Sequence, residues 1–186
     1  MAGLKLKDPP AIEPVTLDEV KIQLRIDADD EAYDDQLNGL IIAAREWCEG
    51  YQNRVYISQT FELALDGWPH KSRLELPRPN LQNVTSIIYT DQEGTSTTWD
   101  PSNYEVDYYS FVAQLVASES WPASSLSRVN GIIVTYVAGY GDAAEAVPQK
   151  IKQAITLLVM HWFENGMCDP PPAVLSLLSQ DRVVPV

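Results

Sequence analysis

The chain has 186 residues, enough for one domain or for a core carrying a sizeable insertion, and its 45% hydrophobic and 21% charged residues argue against wholesale disorder. Its 26 Asp and Glu against 13 Lys and Arg give a formal net charge of -13. That argues against tight binding of duplex DNA, which requires clustered bases, but suits a surface that nucleic acid must pass without sticking. Two cysteines, Cys48 and Cys168, are too few for a disulfide framework and match no zinc spacing. Residues 1–10 lack the apolar stretch of a secretory signal, and no apolar run approaches the roughly 18 residues of a membrane span. A soluble, cytosolic product is expected, with no membrane partner.

In chain order, residues 1–14 are proline-punctuated and read as an extended arm. Thr16 with Glu19 fits a capping box, and Leu17, Val20 and Leu24 recur at helical spacing up to about Ile26. Asp27, Asp29, Asp30 and Glu31 suit the start of a second helix, where the dipole favours negative charge. Leu37, Leu40, Ile41, Ala44, Trp47, Cys48 and Tyr51 mark its apolar face, and it should end between Gly50 and Asn53.

The period then changes. Phe61, Leu63 and Leu65 alternate with Thr60, Glu62 and Ala64 in a strand over 57–65. Further short strands are expected at 73–76, 84–90, 95–99, 104–108, 111–117 and 132–137, separated by Gly, Pro, Asn and Asp. Helical periodicity returns from Pro148 with Ile151, Ile155, Leu158 and Trp162, and stops at Asn165-Gly166. Residues 173–179 allow a last turn or two of helix. The expected fold is α+β: a helical core (15–56 and 145–166), a β insertion (57–144) forming an antiparallel sheet or small barrel, and a tail (167–186).

Chemical signatures are sparse. Gly139-Tyr140-Gly141 lacks the third glycine and the lysine of a phosphate loop, so it reads as a plain turn. The acidic run after Asp27 has Ala32 and Asn38 where a calcium loop needs Gly and Glu. His161 flanks an apolar stripe and reads as a packing or interface residue; His70 lies in a loop. Glu105 and Asp107 share one side of a strand, where solvated acids are far commoner than an acid/base pair. Trp68, Trp99 and Trp121 either close the end of a sheet or bind sugar or protein. No catalytic, cofactor-binding or metal-ligating residue is assigned.

Three groups of segments together resemble the phage gp6-like head–tail connector (head-completion adaptor) proteins. The first is Val15-Thr16-Leu17-Asp18-Glu19-Val20-Lys21 with Leu24-Arg25-Ile26-Asp27. The second is Ala43-Ala44-Arg45-Glu46 with Cys48-Glu49-Gly50-Tyr51, followed by Leu76-Pro77-Arg78-Pro79 and Leu81–Ile87. The third is Val134–Gly141, Val147-Pro148, Ile151–Ile155 and His161–Asn165. The resemblance runs from Val15 to Gly166.

It implies a structural subunit at the neck of a virion, assembled in the host cytoplasm, with no enzymatic activity and no cofactor. Copies would form a closed ring of about twelve beneath the portal protein, extend the DNA channel, and dock a stopper or tail-completion protein. Genomic DNA would pass the acidic lumen without specific binding. The segment from Val174 to Val186 is the expected portal-docking element, with Val174, Leu175, Leu177, Leu178, Val183 and Val184 as its apolar contacts. Its deletion is expected to abolish portal binding and leave the fold intact. Ring contacts are expected on the helical core, including the helix from Pro148. The alternatives are a carbohydrate- or peptide-binding β module, a hydrolase using Glu105 and Asp107, or another neck protein such as a stopper.

Overall fold

In the computed structural model, which describes residues 2–122 and 125–184, the chain divides into two units. The β unit comprises residues up to Pro9 and Ser58–Tyr140; the helical unit comprises Pro10–Ile57 and residues from Gly141 onward.

In the β unit, β1 (Ala2–Asp8), β2 (Gln59–Leu65), β4 (Leu81–Thr90), β5 (Ser96–Thr98) and β8 (Ile132–Ala138) form an antiparallel sheet in the order β1-β2-β8-β4-β5. A second sheet contains β3 (Arg73–Glu75), β6 (Tyr104–Asp107) and β7 (Gln114–Ala117), ordered β3-β7-β6. Both sheets have distinct edges, so the expected alternative of a small barrel is not what forms. Residues 2–8, expected in an extended arm, are an edge strand paired along β2. Leu4 and Leu6 alternate there with Gly3, Lys5 and Lys7, and all of residues 3–8 are exposed.

Strand β8 is central, and its residues Ile132, Val134, Thr135, Tyr136 and Ala138 are buried, which explains its unbroken β-branched and aromatic run. Tyr136 lies opposite Phe61 with stacked rings 5.8 Å apart, and its hydroxyl donates to Pro77 O at 2.8 Å. Burial drives the Tyr136 phenol far above its usual range, so it stays a neutral donor. β4 accommodates two register shifts along β8.

In the helical unit, α1 (Leu17–Leu24) carries the expected capping box: Glu19 N donates to Thr16 Oγ1 at 3.2 Å, and Thr16 N to Glu19 Oε2 at 2.8 Å. α2 (Asp34–Gln52) starts later than the acidic run implies, so Asp27, Asp29, Asp30 and Glu31 form an exposed loop and only Asp34 and Asp35 lie in the first turn. α3 (Gln149–Asn165) follows Pro148 and stops at Gly166, whose φ of 74° favours glycine. α4 (Pro172–Ser179) is a full two turns. The core joins Val20 of α1, Leu37, Ile41, Ala44 and Cys48 of α2, Ile151, Ile155, Leu158 and Trp162 of α3, and Val174 and Leu178 of α4. Burial, with Glu49 adding to it, pushes the Cys48 thiol up to about 12, so it packs as a small apolar group.

Candidate functional site

The tail is latched to the helical unit by a buried polar chain. Arg45, 6% exposed, donates through Nε to Glu13 Oε2 at 2.8 Å and through Nη1 to Glu49 Oε2 at 2.9 Å. Burial works against the guanidinium charge, but Glu49 and Glu13 outweigh it and raise the pKa. Glu49 Oε1 accepts from Tyr56 N at 2.8 Å, and Tyr56 Oη donates to Gln52 Oε1 at 2.7 Å. Gln52 Nε2 then donates to Leu178 O at 2.7 Å, at the end of α4. Past the helix, Val183 N donates to Gln52 O, Arg54 Nε to Asp181 O, and Asn53 Nδ2 to Val183 O. Arg182 stacks 4.6 Å over the Tyr51 ring, itself stacked on Trp47, and Lys150 pairs with Asp181.

This changes the reading of the tail. Val174 and Leu178 are fully buried in their own chain, so they anchor α4 and offer nothing to a partner. Leu175, Leu177 and Val183 are half-buried, and Val184 is exposed. Pro185 and Val186 lie outside the described residues. The latch was missed by reading only apolar spacing. Its signal is Arg45, Glu49 and Gln52 at i, i+4 and i+7, a polar stripe beside the apolar one.

Other candidate groups prove to be tied into local structure. Asp107 Oδ1 accepts from Tyr109 N and Ser110 N, and Oδ2 accepts from Ser110 Oγ, bonds that hold its carboxyl below the usual range. It therefore caps a turn, and Glu105 is exposed on its strand. His161, Asn165 and Cys168 meet at the end of α3: Cys168 Sγ lies 3.1 Å from His161 Nε2, and Asn165 Nδ2 lies 3.4 Å from His161 Nδ1. Asn165 Nδ2 also donates to His161 O at 3.0 Å, which fixes the amide nitrogen toward the ring. Nε2 lies 3.2 Å from Asp169 O as well as facing Sγ. The cluster ties the segment after α3 to the end of that helix.

The loop of acids encloses a cation of its own. Lys21, 2% exposed, donates to Ala28 O and pairs with Asp34. Among the described residues, no three His, Cys, Asp or Glu side chains converge as metal ligands. Gly139 and Gly141, with φ of 137° and 153°, are followed in the chain by a 3₁₀ turn (Ala144–Ala146) and not directly by a helix. Trp68 and Trp121 stack on each other at 4.9 Å, and Trp99 lies 5.4 Å from both. With Tyr89 and Tyr104 they form an aromatic cluster of the β unit, and Tyr89, Trp99 and Trp121 also line an open cleft of about 450 Å³.

Exposed apolar groups remain on both units. The β6–β7 hairpin ends in Tyr108, Tyr109 and Phe111, respectively 53%, 102% and 58% exposed. In the helical unit, a cleft of about 690 Å³ is lined by Ile12, Val15, Leu17, Ile41 and Ile42, with the carboxylates of Asp142 and Glu145 beside them.

The chain belongs to the head completion protein family, whose sequence model matches residues 13–169. Its fold is similar to a chain in the neck of an empty gene-transfer-agent particle computed with C6 symmetry, at a TM-score of 0.83 and 24% identity over 98% of this chain and 97% of that one. It is also similar to a chain in the virion of a native gene transfer agent, at a TM-score of 0.80 and 25% identity over 97% and 96%. A third, in the neck of the native particle computed with C12 symmetry, gives a TM-score of 0.72 and 23% identity over 98% and 97%. No curated protein matches the chain in sequence.

Proposed function

We propose that the chain is a structural head–tail connector subunit, an adaptor at the neck of a tailed phage, prophage or gene-transfer-agent particle. Copies form a ring beneath the portal, extend the DNA channel, and offer a docking surface to a stopper or tail. The observation that carries this reading is the head completion family match over residues 13–169. The likeness to chains from gene-transfer-agent necks, over nearly the whole of both chains, supports it. Those necks were computed with C6 and C12 symmetry, which supports a ring of this chain as well.

The physical features fit a conduit. Asp27, Asp29, Asp30, Glu31 and Asp35 are exposed, and a lumen of like charge repels phosphates and lets DNA slide. Docking on the portal falls to the exposed side of α4 and the segment after it, through Leu175, Leu177, Val183 and Val184, with Val174 and Leu178 holding the helix in place. Deleting the segment from Val174 would open the helical core, so substitution is the cleaner probe. Leu175→Glu with Leu177→Glu should weaken portal binding at least about ten-fold, roughly 1.4 kcal/mol, with the circular dichroism spectrum unchanged. Unchanged binding would remove α4 from the interface.

The reading as a whole is tested by electron microscopy of the purified protein, alone and mixed with the portal from the same genome. A ring, or a collar added to the portal, is expected. Monomers that leave the portal bare would overturn it.

A further inference from the structure

A closed ring is built from head-to-tail contacts, so each subunit must carry two different surfaces that fit each other. This inference rests on the ring reading above and asks which two surfaces they are. We propose that they are the two edges of the five-stranded sheet: β1 of one subunit lies beside β5 of the next, in parallel, and the sheet runs on from subunit to subunit.

Both edges are open. Residues 3–8 are exposed and β1 pairs with β2 alone; Ser96, Thr97 and Thr98 are exposed and β5 pairs with β4 alone. Trp99 N donates to Ile87 O at 2.8 Å, and Asp91 N to Thr95 O at 3.0 Å. An antiparallel ladder alternates between such bonds, so Thr97 addresses β4 while the N–H and C=O of Ser96 and Thr98 face outward. Outward groups of this kind are a template for a further strand. At the other edge, Leu4 and Leu6 lie opposite the buried Leu63 and Phe61, yet are 39% and 45% exposed. The apolar face of the sheet therefore ends in an uncovered row, which an added strand would cover.

The charges select that strand. A second β1 is disfavoured, because it would set Lys5 and Lys7 against their own copies. The β5 edge has the opposite character: Asp91 and Glu93 precede it, Asp100 follows it, and no Lys or Arg occurs between Arg78 and Arg128. The register also sets the charges level. Gly3, Ala64, Ile133, Ile88 and Thr98 form one row across the sheet. Lys5, Glu62, Thr135 and Ser86 form a neighbouring row on the same face, and the Trp99 bond carries β5 on so that Asp100 ends that row. Lys7 is paired with Glu62, whereas Lys5 has no acidic partner among the described residues. Asp100 Oδ1 accepts from Ser102 N and Oγ, bonds that hold its carboxyl below the usual range, and Oδ2 remains for a cation. Strand sense agrees as well. Four antiparallel steps separate β1 from β5, so the two run the same way, and the rotation between ring neighbours keeps them parallel.

The test is a cross-link between singly substituted copies, which can form only between subunits. In a Cys168→Ser background, one preparation carries Gly3→Cys, where an added Cβ meets nothing within 4 Å, and the other Thr98→Cys; Cys48 is buried. Paired strands lie about 4.8 Å apart, within reach of a disulfide. The two are mixed, assembled with the portal and oxidised. A disulfide-linked dimer is expected from the mixture and from neither preparation alone. Thr98→Pro removes an N–H that faces away from β4, so it should lower the fraction of protein in rings at least ten-fold with the monomer's melting temperature unchanged. Lys5→Asp should do the same, and Asp100→Lys added to it should restore the rings. A dimer from Gly3→Cys alone would mean that β1 pairs with itself and would overturn the proposal. Normal rings from Thr98→Pro and Lys5→Asp, with no cross-link in the mixture, would overturn it too and leave the connector reading standing. A wild-type chain that forms no ring, alone or on the portal, would overturn both.

Discussion

Arg45 shows how much of this protein's stability rests on individual polar residues. Its guanidinium is buried between Glu13 and Glu49, and Glu49 also accepts from Tyr56 N. Removing the cation leaves buried carboxylate charge uncompensated, which costs far more than the ion pair itself contributes. Arg45→Met should therefore lower the free energy of unfolding by about 3 kcal/mol in urea titrations. Arg45→Met combined with Glu49→Gln should recover at least about 1 kcal/mol, because the amide removes the charge and still accepts from Tyr56. A double variant no better than the single one would show that lost packing, and not charge, is the cause.

Glu19 gives the residue scale a pH dependence. Burial raises its pKa, but the Thr16 amide and the Lys152 ammonium, 3.0 Å away, outweigh burial and hold the carboxyl below its usual range. A carboxyl whose folded pKa is depressed contributes stability that is present above the unfolded pKa and lost as pH falls through the folded one. The melting temperature should be level from about pH 7 to 5 and fall below about pH 4. Glu19→Gln should lower the plateau and flatten the fall. Thr16→Ala, removing the other half of the box, should cost about 1 kcal/mol at neutral pH.

At the scale of elements, α4 and the chain after it are the clearest departure from a pattern-based reading. A helix of eight residues is too short to persist alone in water. It forms here because Val174 and Leu178 enter the helical core and Gln52 reaches the Leu178 carbonyl. Leu178→Ala should cost about 2–4 kcal/mol in equilibrium unfolding, the cost of a cavity in a packed core. A loss under about 0.5 kcal/mol, within the range of surface substitutions, would mean that the helix is not packed as described. The β6–β7 hairpin is the opposite case. Its loop is ordered by Asp107 and not by burial, so its aromatics stay exposed while its shape is kept.

At the scale of the molecule, charge is the dominant fact. A net charge of -13 opposes the binding of duplex DNA phosphates. No mobility shift of duplex DNA is expected at about 50 mM salt, conditions that favour phosphate binding. A shift there would contradict the conduit reading. Among the described residues no helix is long and apolar enough to cross a membrane.

The sequence by itself determined the kind and order of the elements from α1 to α3. The capping box at Thr16, the apolar stripes of α2 and α3, the stop at Gly166 and the alternation in β2 are local signals, set by backbone and side-chain physics within a few residues. The ordered blocks from Val15 to Gly166 also carried the family. What only the tertiary structure decided depends on contacts far apart in sequence. Residues 2–8 are extended in either reading, and pairing with β2 is what turns an arm into a strand. Val174 and Leu178 look like exposed anchors until Gln52, more than a hundred residues earlier, draws α4 onto its own unit. Tyr109 and the cleft at Ile42 follow the same rule, for exposure is a property of the folded surface, and no periodicity in the chain encodes which apolar groups are left uncovered.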